Sequence, residues 1–399
     1  MTAPAADEGE APASLAKTPM LLFIRGFGLA LVAVGLVLSL HYYLGARLIR
    51  DAGIRGGAAA TMWFVLGLLF LSIPVGFAAG RIAPRPVALA LHWVAHLWLG
   101  AFGLLLTTVA LADGVTFVLA RLFPGTAWGE REALAVVALV APMLCLGFLT
   151  ARGKARIERI RVPIQGLGPA FEGLKIAQIS DVHIGETLGR RFLERVVAQV
   201  NALDADLIAI TGDLIDGSVA QLRDEVASLA DLKAKRGVFY VTGNHEYYHG
   251  GPAWEAELRR LGHTVLHNEH RVLQAGGDSL VVAGITDHDG GHFGPSHESR
   301  PDLALKGAPE EVPRVLLAHQ PRSARLLQGL RVDLQLSGHT HGGQMFPFMF
   351  LVRLQQPVIA GLRTVFGVRV YTSRGTGYWG PPFRLGPRPE ITELTLVRA

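Results

Sequence analysis

The chain has 399 residues, with 38 Lys and Arg against 33 Asp and Glu and a formal net charge of +5. This small excess is spread out, with no basic patch interleaved with aromatics, which argues against a nucleic-acid polymer as partner. A single cysteine, Cys145, excludes an internal disulfide and a cysteine-built zinc knuckle, so any metal site must draw on His, Asp, Asn or Glu.

Mean hydropathy is +0.33, and the apolar excess comes from the first third of the chain. Residues 1–19, rich in Ala, Pro and Glu, have no apolar period and read as a disordered tail. They lack the basic start, short apolar core and cleavage site of a removable signal peptide. Residues 20–151 then hold four apolar runs, at 27–44, 58–79, 87–112 and 133–150. Each is close to the roughly 20 residues that cross a bilayer core. The second, "AAATMWFVLGLLFLSIPVGFAAG", has no polar stripe at helical period, as a helix of a soluble bundle would. The fourth is shorter and carries Pro142. A membrane domain of about four transmembrane helices is expected.

Orientation follows from Lys and Arg in the connections. With both ends inside, Lys17, Arg81, Arg85, Arg152, Lys154, Arg156, Arg159 and Arg161 face the cytoplasm. Arg47, Arg50, Arg55, Arg121 and Arg131 lie opposite, so the bias favours a cytoplasmic C-terminal domain. His92 and His96, four apart on the third run, share a helix face. With Trp93 and Trp98 beside them and no further ligand nearby, they read as part of an interfacial aromatic belt.

After a basic linker at 152–169, residues 170–399 alternate short β-rich runs with amphipathic helices. Strands are expected at 174–180, 205–211, 237–242, 279–285, 314–319 and 332–337, with helical patterns at 189–203 and 252–262. The alternation predicts an α/β fold with covered sheets. Functional groups in such folds gather at the carboxyl ends of strands, and that is where the ligand-type residues stand. They are Asp181 and His183, Asp213 and Asp216, Asn244, His245 and Glu246, His319, then His339 and His341. Any one set could be ordinary turn chemistry; five strands each ending in a potential ligand are hard to explain so. Imidazole and carboxylate donors without sulfur suit Mn, Fe or Zn better than Ca or Mg. If 339–341 is extended, the side chains of His339 and His341 point the same way, each toward one of two neighbouring ions.

The motifs "DVHIG", "GDLID", "GNHE", "AHQP" and "GHTHGGQ", in that order, resemble those of the calcineurin-like metallophosphoesterases. With the apolar front, the chain resembles the bacterial transmembrane members of that family. The resemblance implies a four-layer α/β/β/α sandwich over 170–399 and a site for two divalent metal ions. It implies Asp181, His183 and His341 on one ion, Asn244, His319 and His339 on the other, and Asp213 bridging. It also implies His245 as the acid that protonates the leaving group and Asp216 as the carboxylate that orients His245, although Asp216 also reads as a helix N-cap. Phosphoprotein phosphatases of the superfamily follow the second Asp of GDxxD with Arg and Gly; Gly217 and Ser218 stand here, which argues against that activity.

The expected activity is hydrolysis of a phosphodiester or pyrophosphate at a bacterial inner membrane. A lipid-linked substrate is expected, since some relatives resemble the UDP-2,3-diacylglucosamine pyrophosphatase. The alternative is a membrane sensor or transporter whose soluble domain binds metal or nucleotide without turnover. Three segments remain open. The loop 287–301, with His288, His292 and His297, reads as a solvated loop or a cover over the site. "MFPFMFLV" (345–352) reads as core, as an acyl-chain groove or as a bilayer contact, and Arg374 as a partner for substrate phosphate.

Overall fold

The computed structural model describes residues 18–399, so Lys17 and nearly all of the tail read over 1–19 lie outside the described residues. Four helices come first: α1 (Thr18–Gly45), α2 (Gly56–Ile82), α3 (Arg85–Leu122) and α4 (Trp128–Arg152). All four are long and apolar enough to cross a bilayer. Their side chains face outward in rows, among them Leu29, Phe64, Leu71, Phe117 and Leu139. That pattern is stable only where the surroundings are apolar too. α3 is 38 residues long and runs well past the expected end at 112.

The chain packs as two units, one comprising the residues up to Ser72 with Leu105–Val137, the other Ile73–Leu104 with Ala138–Ala399. In the first, Arg47 Nε lies 3.1 Å from the Asp113 carboxylate, which also accepts from the Tyr43 hydroxyl. The apolar helices therefore carry a charged pair that their bulk composition conceals.

The second unit holds two six-stranded sheets. The strands are β1 (Arg156–Ile164), β2 (Lys175–Ile179), β3 (Leu207–Thr211), β4 (Val238–Val241), β5 (Thr264–Val265), β6 (Glu269–Ala275) and β7 (Asp278–Gly284). They continue with β8 (Arg314–Leu317), β9 (Leu334–Ser337), β10 (Gly361–Val365), β11 (Val368–Thr372) and β12 (Glu390–Arg398). The orders are β1-β12-β2-β3-β4-β5 and β10-β11-β9-β8-β7-β6. Residues 152–169 are thus no simple linker: Arg156–Ile164 pairs in parallel with Glu390–Arg398 along its whole length. Its charges alternate with Ile and Val, so only every second side chain, Val162 and Ile164 among them, reaches the core.

Alternation explains the layers. Ile176, Leu207, Ala209, Phe239 and Val241 point between the sheets, where they meet Leu280, Val282, Leu317, Leu334 and Leu336 of the second sheet. Ala177, Ile179, Ile208, Ile210 and Tyr240 point the other way. They lie under α5 (Arg190–Asn201), which buries Phe192, Leu193, Val196, Val197 and Val200 at helical spacing, and under the later helix α8 (Gly251–Arg260). Both faces of β3 are covered, so "LIAIT" is continuously apolar. The outer face of the second sheet is covered by α9 (Pro301–Ala304), through Ala304, and by segments carrying Leu305, Ala324 and Leu327. The result is the four-layer sandwich, with the carboxyl ends of β2, β3 and β4 in one sheet facing those of β8 and β9 in the other.

Candidate metal centre

Seven side chains converge where those strand ends meet. Asp181, His183, Asp213 and Asn244 come from the first sheet, and His319, His339 and His341 from the second. Asp181, His183 and His341 bring their ligand atoms within 4.8 Å of one another, as do Asp213, His319 and His339. Asp213 Oδ2 lies between the two groups, 3.1 Å from His319 Nε2 and 4.0 Å from His183 Nε2. His183 Nε2 and His341 Nε2 stand 3.1 Å apart, and His339 Nδ1 and His319 Nε2 3.2 Å.

The backbone places them differently from the extended segment expected. Asp181, His183, Asp213, His339 and His341 all have positive φ, between 50° and 69°. Left-handed conformations are uncommon for non-glycine residues and are held only where the surroundings enforce them. It is this alternation of a left-handed residue, a spacer and another left-handed residue that directs both side chains of each pair inward. Close approach also needs bare backbone: a Cβ on Gly338 would overlap the Asp181 carboxylate, and one on Gly243 the Asp213 carboxylate.

The residues present fit divalent cations. Asn244 Oδ1 is buried with no hydrogen-bond partner, an acceptor that folding alone would not leave bare. The His319 ring donates Nδ1–H to the Thr211 carbonyl at 2.7 Å, which turns Nε2 toward the Asp213 carboxylate, 3.1 Å away at the centre. Burial, reinforced by the charge on His319, holds His339 down to about 3. Burial and the neighbouring Arg384 hold His341 well below the usual imidazole range. Both rings are therefore neutral and able to ligate. Burial works to raise the Asp213 carboxyl, but the facing His319 and His245 outweigh it and keep it well below the usual carboxylate range.

Asp216 does not cap a helix; Ser218 caps α6 (Val219–Leu222). Asp216 Oδ1 instead accepts from His245 Nδ1 at 2.6 Å and from His183 Nδ1 at 3.0 Å, tying the two rings together. His245 opens, with Asn244, the short helix α7 (Asn244–Tyr248). Burial lowers its basicity, but the Asp213 charge and the Asp216 hydrogen bond prevail and push it up to about 9. Its side chain is only 12% exposed, flanked by Trp379 at 5.8 Å and Tyr248 at 5.2 Å.

Glu246 does not ligate. It accepts from the backbone N–H groups of Asp213, Leu214 and Gly243, stapling two ligand loops together. Arg374 lies against Gly342, and its Nη1 is engaged by the buried Glu390 at 2.5 Å. The loop 287–301 is largely exposed between 291 and 298 and anchored at its ends. Asp287 is buried and accepts from Gln320 of "AHQP" at 3.0 Å, and Phe293 and His297 lie against Tyr247. His92 and His96 stack on each other at 3.8 Å, and no third metal-ligating side chain is grouped with them among the described residues.

Two contributors stand outside the set of candidate ligands. Arg384 is fully buried; it donates to the carbonyls of His341 and Arg374 at 2.7 Å, and its Nη2 stands 3.0 Å from His341 Nδ1. Gln344 binds the backbone of Trp379 at both N and O, clamping the segment 379–385 to the metal loop. The final Gln of "GHTHGGQ" is the one hint of this in the sequence.

Residues 174–343 match the family described as calcineurin-like phosphoesterase. A "transmembrane protein with metallophosphoesterase domain" of Danio rerio is 32% identical over 97% of this chain and 91% of its own length. The chain belongs to the calcineurin-like phosphoesterases. It is a metal-dependent phosphoester hydrolase with four apolar helices ahead of its catalytic domain. The Bos taurus protein of the same description is 36% identical over 80% of this chain and 76% of its own length. An uncharacterized metallophosphoesterase of Helicobacter pylori is 38% identical over 63% of this chain and 66% of its own.

Proposed function

We propose that this phosphoesterase is anchored in a bacterial inner membrane and cleaves a phosphodiester or pyrophosphate bond in a lipid-linked molecule such as UDP-2,3-diacylglucosamine, on the cytoplasmic side. The observation that carries the reading is Asp213 Oδ2, held between two groups of ligands. Asp181, His183 and His341 would hold one ion, Asn244, His319 and His339 the other, with Asp213 shared. Donor chemistry favours Mn, Fe or Zn. A pair of such ions supplies Lewis acidity toward phosphoryl oxygens and an activated water near neutral pH.

The chain's own groups do the rest. Gln344 keeps Trp379 beside the mouth of the site, and Asp216 holds His245 Nδ1, which leaves Nε2 as the nitrogen with a proton to give. Gly217 and Ser218 leave no arginine at the place where phosphoprotein phosphatases grip phosphate, which supports a different substrate class. Arg374 is a secondary phosphate partner, its charge already shared with Glu390.

Replacing His245 by Ala tests the assignment. Hydrolysis of a diester with an alkyl leaving group falls about 100- to 10,000-fold, the usual contribution of a positioned acid. Hydrolysis of bis-p-nitrophenyl phosphate falls far less, since nitrophenolate leaves without a proton, and bound metal is unchanged. Equal losses on both substrates, or lost metal, would make His245 a structural residue instead.

A further inference from the structure

Immediately after the metal loop, the chain turns from fully buried to conspicuously apolar and exposed. Helix α10 (Met349–Gln355) has no buried residue. Phe350 is 54% exposed, Leu351 62% and Leu354 85%, with Phe346 and Phe348 exposed beside them. A cluster of this kind on a soluble surface marks a contact with something apolar. What it contacts is indicated by its neighbours. The Phe348 ring lies against Gly103 of α3, 3.0 Å from where a Cβ there would stand. The Phe383 ring fills a notch at Gly100 of α3, with Gly147 and Phe148 of α4 beside it. The apolar surface is thus continuous from two bilayer-length helices onto α10. On the other side it reaches the site: Gln344 binds the backbone of Trp379, which is itself exposed and close to His245.

We propose that Phe346–Leu354 seats in the headgroup–acyl boundary of the bilayer. The metal centre is then held at the membrane surface, where it acts on phosphoesters whose acyl chains stay in the lipid. A helix of this kind lies in the plane of the interface with its apolar face about 5–10 Å deep. Exposed Arg353 flanks that face and can extend to lipid phosphates while its stem stays among the chains. The part that concerns substrate rests on the phosphoesterase reading above; the seating of the helix does not.

The single cysteine allows a direct test in the full chain. With Cys145→Ser as background, Leu354→Cys is labelled with NBD in nanodiscs of phosphatidylcholine and phosphatidylglycerol. Gln274→Cys, exposed on β6, is the control. The label at 354 is expected to emit to the blue of that at 274, to be quenched by nitroxide on the lipid chains and to resist iodide. Equal iodide quenching at both sites overturns the proposal. Protection at 354 without nitroxide quenching also overturns it, and assigns the surface to a protein partner or a second copy.

The substrate arm uses Leu351→Arg with Leu354→Arg. Turnover of a dioleoyl phosphatidyl-p-nitrophenol in the same bilayers is expected to fall at least about tenfold, in line with the loss of two buried leucines. Bis-p-nitrophenyl phosphate hydrolysis stays within about twofold, since no ligand is touched. Equal loss on both, or loss on neither, contradicts the substrate part. A seated helix in a chain that hydrolyses neither compound would instead refute the phosphoesterase reading.

Discussion

Asp213→Asn lowers hydrolysis by about a thousandfold, or roughly 4 kcal/mol of transition-state stabilisation. The substitution conserves volume and preserves an oxygen to accept from the His245 backbone N–H, now 2.9 Å from Asp213 Oδ1. What it removes is charge at the one oxygen shared between the His319 and His183 sides. Fully buried histidines and a carboxylate sit there in balance, and a neutral amide cannot offset two divalent cations. Bound metal therefore falls along with activity, while circular dichroism is unchanged. Activity within about tenfold of the parent would mean that Asp213 does not bridge.

Arg384→Ala has the largest expected effect on stability. The guanidinium is fully buried, and burial lowers it to about 10 against the opposing charges of Asp181 and Glu390; the backbone carbonyls of His341, Arg374 and Gly377 accept its hydrogen bonds. Truncation leaves these acceptors unpaired in the interior, at a cost of about 3–5 kcal/mol. The damage is local to the metal loop, since His341 loses both its carbonyl partner and the donor at Nδ1. Arg384 N–H also donates to the Gly147 carbonyl of α4 at 2.9 Å, so the same residue joins the metal loop to an apolar helix. A lower melting temperature together with weaker metal retention is expected. Arg384→Lys restores only part, because a point charge cannot span several carbonyls. An unchanged melting temperature would contradict this role.

Most of the centre was legible in the sequence because its ligands stand at strand ends, and strands are announced by short apolar runs between glycines. The runs at β3, β4, β8 and β9 are buried throughout, and those at β2 and β7 over all but their first one or two residues, which makes them conspicuous. β1 was missed because only one of its faces reaches the core and arginines fill the other. β10 and β11, with Arg363 and Arg369, pose the same difficulty. Spacing singles out His339 with His341, but the extended backbone assumed for them is in fact left-handed, a choice enforced by the Asp181 carboxylate, which lies far away in sequence and accepts from the His339 backbone N–H. Arg384 stands in "GPPFRLGP" with no periodicity and no partner nearby in the chain. Its role comes wholly from tertiary packing. The same holds for α10, whose composition fits core and bilayer equally until its exposure is known.

The most direct measurement uses the full chain in lipid nanodiscs, stripped of metal and then supplied separately with Mn²⁺, Zn²⁺ or Fe²⁺. Hydrolysis of bis-p-nitrophenyl phosphate is followed alongside bound metal. Activity that returns only as a second equivalent binds, and favours this diester over p-nitrophenyl phosphate, is the predicted result. Full activity with one equivalent bound, or none with two in a folded chain, would contradict a shared Asp213 between two catalytic ions.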